Sequence, residues 1–174
     1  MKQAYRVLAY LIAAEVMIQA MVMAYAIAGL GLWVDGGGVF DKSVIESGGS
    51  MFEPFPEVAG IIIHGLNGIA VVPLLALLLL ISSFFAKIAG SVKWAGLVFG
   101  FVVVQVALGL LGHSMSIAGG LHGLNALALF ASALYTARRA LLGEPCCGAG
   151  QGNRVGLRTR SRPRFSPRKY LAED

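Results

Sequence analysis

Four long apolar runs separated by polar breaks organise this chain. Hydrophobic residues dominate roughly Val7 to Val34, Val58 to Ala86, Trp94 to Gly112 and Ile117 to Ala137. A helix needs about 20 such residues to cross ~30 Å of hydrocarbon, so each run is predicted to be a transmembrane helix. The first run follows Lys2 and Arg6 as a leader would, but it exceeds the usual leader core of about 7 to 15 residues and is expected to stay as a helix. The expected fold is therefore an all-α integral membrane protein: a four-transmembrane-helix bundle over residues 1–142, built from two tandem helix hairpins.

Composition agrees, with 57% hydrophobic and 13% charged residues in 174, which leaves no room for a separate soluble enzyme domain. The charges also orient the chain. Lys2, Arg6, Lys87, Lys93, Arg138 and Arg139 flank one set of helix ends, while Asp35, Asp41, Glu46, Glu53 and Glu57 lie in the loop between the first two helices. Cationic flanks stay in the cytoplasm, so a multi-pass plasma-membrane protein with both termini cytoplasmic is expected.

Within the apolar runs one phrase occurs twice, as His64-Gly65-Leu66-Asn67 and His122-Gly123-Leu124-Asn125. An ionisable side chain within a membrane span costs free energy and usually faces the bundle interior. Both histidines fall about five or six residues into helices that descend from the outer side, at ~8 to 9 Å depth. Gln19 in the first run and Gln105 in the third reach a similar depth from the other side. An even number of spans separates the two copies, so they insert with the same orientation, related by an axis along the membrane normal that sets His64 opposite His122.

Two neutral imidazoles on facing helices are a donor set for heme iron, one on each axial position. Asn67 and Asn125, three residues after each histidine, share its helix face and can bond a propionate, a neighbouring helix or the ligands themselves. Gly65, Gly68, Gly119, Gly120 and Gly123 remove bulk nearby, which either admits a porphyrin or lets helices approach. The pairs Gly96/Gly100 and Gly119/Gly123 have the spacing of ordinary helix contacts, and the histidines and asparagines also serve as interhelical polar bonds. His113, at the outer end of the third run, reads as a solvated helix end, with proton gating or propionate contact as alternatives. Glu15 lies four residues before Gln19 on one face and reads either as a structural acid bonded to that amide or as a proton-relay or quinone-site residue. Phe101 occupies the equivalent place in the third run, so any role of Glu15 is asymmetric.

Gln105 with Leu108-Gly109, a short outer loop, Leu121-His122 and an Ala/Leu-rich helix ending Ala137-Arg138-Arg139 resemble small bacterial four-helix membrane proteins of unknown function, over about residues 5 to 140. The chain also resembles one half of the heme A synthase family, whose halves are four-helix bundles with a histidine on the second and fourth helices; His64 and His122 match those ligand positions. The catalytic half of that family carries a glutamate where this chain has Ile61, and often paired outer-loop cysteines, which this loop lacks. The resemblance thus implies a single-heme bundle without heme A synthesis by this chain alone. Heme b is the expected form, since no Cys-x-x-Cys-His motif is present.

Cys146 and Cys147 are adjacent, expected on the reducing side, and belong to no redox motif; they read as incidental, with lipidation or weak metal binding as lesser options. Residues 143–174 are rich in glycine, proline and arginine, cannot bury a core, and are expected to form a disordered cytoplasmic tail attracted to anionic lipid headgroups. This tail dominates the net charge of +5, and no aromatic or groove-reading pattern points to nucleic acid. Phe52 and Phe55 are expected to fold back to the membrane interface. The functional expectation is electron transfer with a quinol or a partner oxidoreductase. A structural or assembly protein is the alternative, and a proton or small-molecule pathway through Glu15, Gln19 and Gln105 is a third.

Overall fold

The computed structural model describes residues 1–42 and 55–142. The tail with its cysteines, and most of the acidic loop including Glu46, Phe52 and Glu53, lie outside the described residues. Among the described residues every regular element is helical: α1 is Lys2–Asp35, α2 is Pro56–Ser83, α3 is Ser91–Gly112 and α4 is Ser116–Leu142. All four are long and apolar enough to cross a membrane, so the chain is a multi-pass membrane protein.

Helix ends depart from the apolar runs in an instructive way. Lys2, Arg6, Arg138 and Arg139 are helical although polar, whereas apolar Phe84, Phe85 and Ala86 already belong to the α2–α3 turn. Apolarity reports the lipid or core environment of a residue and helicity its backbone, and the two part company at a tight turn. Here Lys87 (φ 53°) and Gly90 (φ 75°) take the left-handed conformation that reverses the chain.

α2 is not uniform. It opens with a 3₁₀ turn at Pro56–Val58, continues as α-helix over Ala59–Leu66, widens to a π-turn at Asn67–Val71 and resumes as α-helix over Val72–Ser83. In the wide turn the Val72 N–H reaches the Asn67 carbonyl, five residues back. Pro73 explains the location, because its ring lacks an N–H and clashes with the carbonyl four residues earlier, and a widened turn relieves that clash.

α1 packs on α2 and α4, and α3 on the same two helices, so the four form a ring with α2 and α4 on one diagonal. The core is filled at one end, where Ile12, Leu79, Val98 and Leu129 interlock with Ala9, Ala76, Ala95 and Ala133, each 0–1% exposed. Small residues at these contacts let the backbones approach, which matters because lipid removes most of the hydrophobic drive between helices. At this end the Tyr5 hydroxyl donates to the Ser91 carbonyl (3.1 Å), and Ser91 Oγ donates to the Ser83 carbonyl (2.8 Å). Arg139 lies over Trp94 and Tyr135, 5.8 and 5.9 Å from their ring centres, and those rings are 4.4 Å apart.

Further along, the interior thins. Between Ala13 and Ala26 of α1, Gly60 and Val72 of α2, and Ala118 and Leu129 of α4, and beyond Val102 of α3, no residue is buried. The opposite end closes again through Phe55, 4% exposed and stacked 5.6 Å from Trp33.

The glycines split into two groups. A methyl at Gly60 would stand 2.5 Å from the Val22 carbonyl oxygen, so α1 and α2 touch through that position. A methyl at Gly65, Gly96, Gly100, Gly119, Gly120 or Gly123 would meet nothing within 4 Å, although the backbone of Gly119 lies against Gly112, where a methyl would stand 3.4 Å from the Gly119 Cα. Gly60→Ala is therefore expected to lose ~1–3 kcal/mol by overpacking. Gly123→Ala is expected to be neutral or to gain up to about 1 kcal/mol of helix propensity. Unfolding in mixed micelles measures both, and an equal cost at the two sites would contradict the packing described.

Candidate paired-histidine site

His64 lies eight residues into α2 and His122 six into α4, about 12 and 9 Å from the helix starts at 1.5 Å per residue. The diagonal arrangement of these helices turns both rings into the thin part of the bundle. Their centres are 6.0 Å apart and their planes 62° apart. The repeated phrase has thus become a pair of facing imidazoles, as the repeat predicted.

Each ring is oriented by the backbone of a glutamine on the helix before it. His64 Nδ1 lies 3.3 Å from the Gln19 carbonyl oxygen, and His122 Nδ1 lies 3.0 Å from that of Gln105. A carbonyl oxygen only accepts, so in each ring Nδ1 carries the hydrogen and Nε2 is left with the lone pair. An N–H held by a backbone carbonyl is the usual outer support of a metal-binding histidine.

Around this common frame the two halves differ. In the α3–α4 half, Asn125 Nδ2 donates to the Phe101 carbonyl (2.9 Å) and to Gln105 Oε1 (2.6 Å). Gln105 Nε2 in turn meets the His122 carbonyl (3.1 Å) and His122 Nε2 (3.0 Å). The network is closed: both hydrogens of the Gln105 amide are used, and one caps the imidazole lone pair. In the α1–α2 half, Asn67 Nδ2 donates to Glu15 Oε2 at 2.7 Å instead, and both amide atoms of Gln19 are buried without a hydrogen-bond partner. Asn67 opens the π-turn, whereas Asn125 lies in an uninterrupted helix.

This overturns the expected bond between Glu15 and Gln19. The spacing of four places them on one helix face, but the carboxylate is taken by α2. Asn67 and Asn125 bond neighbouring helices. His113 caps α3, exposed, and takes no part in the contacts of the pair. Gly109 was read only as part of the Leu108-Gly109 resemblance and not as a site residue, yet a methyl there would stand 3.2 Å from His122 Cε1, so its bareness makes room for the ring. The Pro73 turn was also missed; a proline six residues after an intramembrane asparagine was its available signal.

Among the described residues, no three His, Cys, Asp or Glu side chains converge. The described side chains alone therefore do not complete the four-ligand shell of structural zinc. Two imidazoles suit an ion whose other ligands arrive with it. Fold and site together define a four-span helical membrane protein with a paired-histidine centre. Comparisons with protein-family models, curated proteins and solved structures return no match to this chain, so its own residues carry the functional argument.

Proposed function

We propose that this protein is a membrane b-type cytochrome-like protein that holds one heme between His64 and His122 and exchanges electrons with a quinol or a partner oxidoreductase. The observation that carries the reading is the 6.0 Å separation of two imidazoles whose Nδ1 atoms are both committed to backbone carbonyls. Two imidazoles each bonded at about 2 Å to one ion place their ring centres roughly 6 Å apart. Around the pair no helix contributes a buried residue between Gly60 and Val72 or between Ala118 and Leu129, so the bundle is loosely filled at this level. Held by these two histidines, a heme would supply reversible one-electron transfer.

The residues contribute orientation and access. The Gln19 and Gln105 carbonyls fix ring rotation and tautomer, and Gln105 Nε2 must leave His122 Nε2 before that lone pair binds iron, while keeping its bond to the His122 carbonyl. The pairing of Gln19 with His64 and of Gln105 with His122 supports two tandem hairpins related by a pseudo-twofold axis. The distribution of lysine and arginine supports cytoplasmic termini and a tail drawn to anionic headgroups. The half-heme-A-synthase resemblance favours the same cofactor, while Ile61 and the cysteine-free loop argue against heme A synthesis.

One observation favours a second reading. The closed Gln105–His122–Asn125 network is what a purely structural histidine would make, so the alternative is an assembly protein whose histidines lock helices. Reduced-minus-oxidised spectra of protein purified from heme-replete cells decide between them. A stoichiometric low-spin heme with sharp reduced bands is expected; a folded protein that takes up none on reconstitution would leave the structural reading.

A further inference from the structure

The two histidines occupy equivalent places yet differ in availability, and Glu15 is the residue that separates them. In the α3–α4 half, Asn125 holds the Gln105 oxygen at 2.6 Å, which turns the amide nitrogen onto His122 Nε2 at 3.0 Å. The same parts exist in the α1–α2 half: Asn67 for Asn125, Gln19 for Gln105, His64 for His122. The difference is at the position four residues before the glutamine, where α3 has Phe101 and α1 has Glu15. Phe101 accepts from Asn125 through its backbone carbonyl, and in that position the second amide hydrogen of Asn125 reaches Gln105. Glu15 offers a carboxylate oxygen, and Asn67 bonds it at 2.7 Å. Gln19 loses its holder, both of its amide atoms are left buried without a partner, and its nitrogen lies 3.5 Å from where a methyl on Gly68 would be. Among the described residues, the His64 ring hydrogen-bonds through Nδ1 to the Gln19 backbone alone.

We infer that Glu15 is a positioning residue that keeps His64 open as the first ligand of the pair. By drawing Asn67 onto α1 it denies Gln19 the bond that would aim its amide at His64 Nε2, so His64 stands ready while His122 rests capped. The buried amide of Gln19 is the cost of that arrangement, since an unmade buried hydrogen bond is unfavourable and persists only where something holds it so. His64 would be the first residue to hold an incoming iron, and His122 the second, once its lone pair is released by the Gln105 amide. The purpose of this order rests on the heme reading, but the difference in availability belongs to the protein without cofactor.

The test therefore uses the cofactor-free full chain in detergent. Diethyl pyrocarbonate acylates an imidazole nitrogen that has a free lone pair, and peptide mass spectrometry gives the rate at each histidine. In the wild type His64 should react faster than His122 by roughly five- to tenfold, the factor one hydrogen bond makes. Glu15→Phe, which copies the α3 pattern, should slow His64 to the His122 rate. Adding Gln19→Ala to Glu15→Phe removes the capping amide and should restore the fast rate. Glu15→Gln keeps an acceptor oxygen for Asn67 and should stay fast, which covers the case in which Glu15→Phe fails to fold. Equal rates in the wild type, or a His64 rate unmoved by Glu15→Phe in folded protein, would overturn the inference. Hemin titration of the same variants reads the other proposal: slow and fast variants that all bind no heme leave the Glu15 role standing and remove the cofactor.

Discussion

Purified in parallel, His64→Ala and His122→Ala are each expected to lose the low-spin heme signature entirely, because a single remaining imidazole cannot fill both axial positions. The two variants should nonetheless differ without cofactor. His64→Ala removes one 3.3 Å contact to a backbone carbonyl. His122→Ala removes a 3.0 Å bond to a carbonyl and uncaps the Gln105 amide, whose other hydrogen keeps its backbone partner. Interhelical hydrogen bonds in membranes contribute about 0.6 kcal/mol on average and up to ~1.7, so the cofactor-free His122→Ala protein should be less stable than His64→Ala by about 1 kcal/mol. Absorption spectra and unfolding in mixed micelles read the two effects separately. A low-spin spectrum surviving in either variant would remove that histidine from the ligand pair.

The second large effect is a contrast of sign. Gln105→Leu deletes a side chain that bonds Asn125, His122 Nε2 and the His122 carbonyl, and is expected to destabilise the protein by ~2–3 kcal/mol. Gln19→Leu deletes an amide that bonds nothing, keeps the backbone carbonyl that holds His64, and is expected to be neutral or stabilising by up to about 2 kcal/mol. The residues share a type, a depth and a neighbouring histidine, so lipid exposure or helix propensity predicts the same result for both. Only the partner map predicts opposite ones. Equal losses at the two positions would mean that Gln19 has a partner in solution.

Much of the architecture was readable because a bilayer imposes a single requirement, an apolar stretch of sufficient length, and this chain meets it four times. The pair of histidines was readable because the phrase repeats within two of the apolar runs. The partner of Glu15 was not. Sequence spacing offered Gln19, four residues along the same helix, while the competing acceptor-seeking group, Asn67, sits 52 residues away and reaches it across a helix interface. Local spacing sees a helix face but not what lies opposite. The glycines failed for a related reason: Gly60 and Gly123 look alike in sequence, yet one touches the Val22 carbonyl and the other faces open space. The Phe84-Phe85-Ala86 segment shows the limit at boundaries, since hydropathy carries no information about where Lys87 and Gly90 turn the backbone.

The uneven filling of the bundle separates what keeps the protein folded from what it is folded for. Ile12, Leu79, Val98, Leu129 and the alanines between them interlock at one end, and the histidines occupy a level at which no helix contributes a buried residue. The half that carries the histidines can therefore be altered while the anchoring half supplies the cohesion. A chain organised in this way offers a natural starting point for engineering new membrane redox centres.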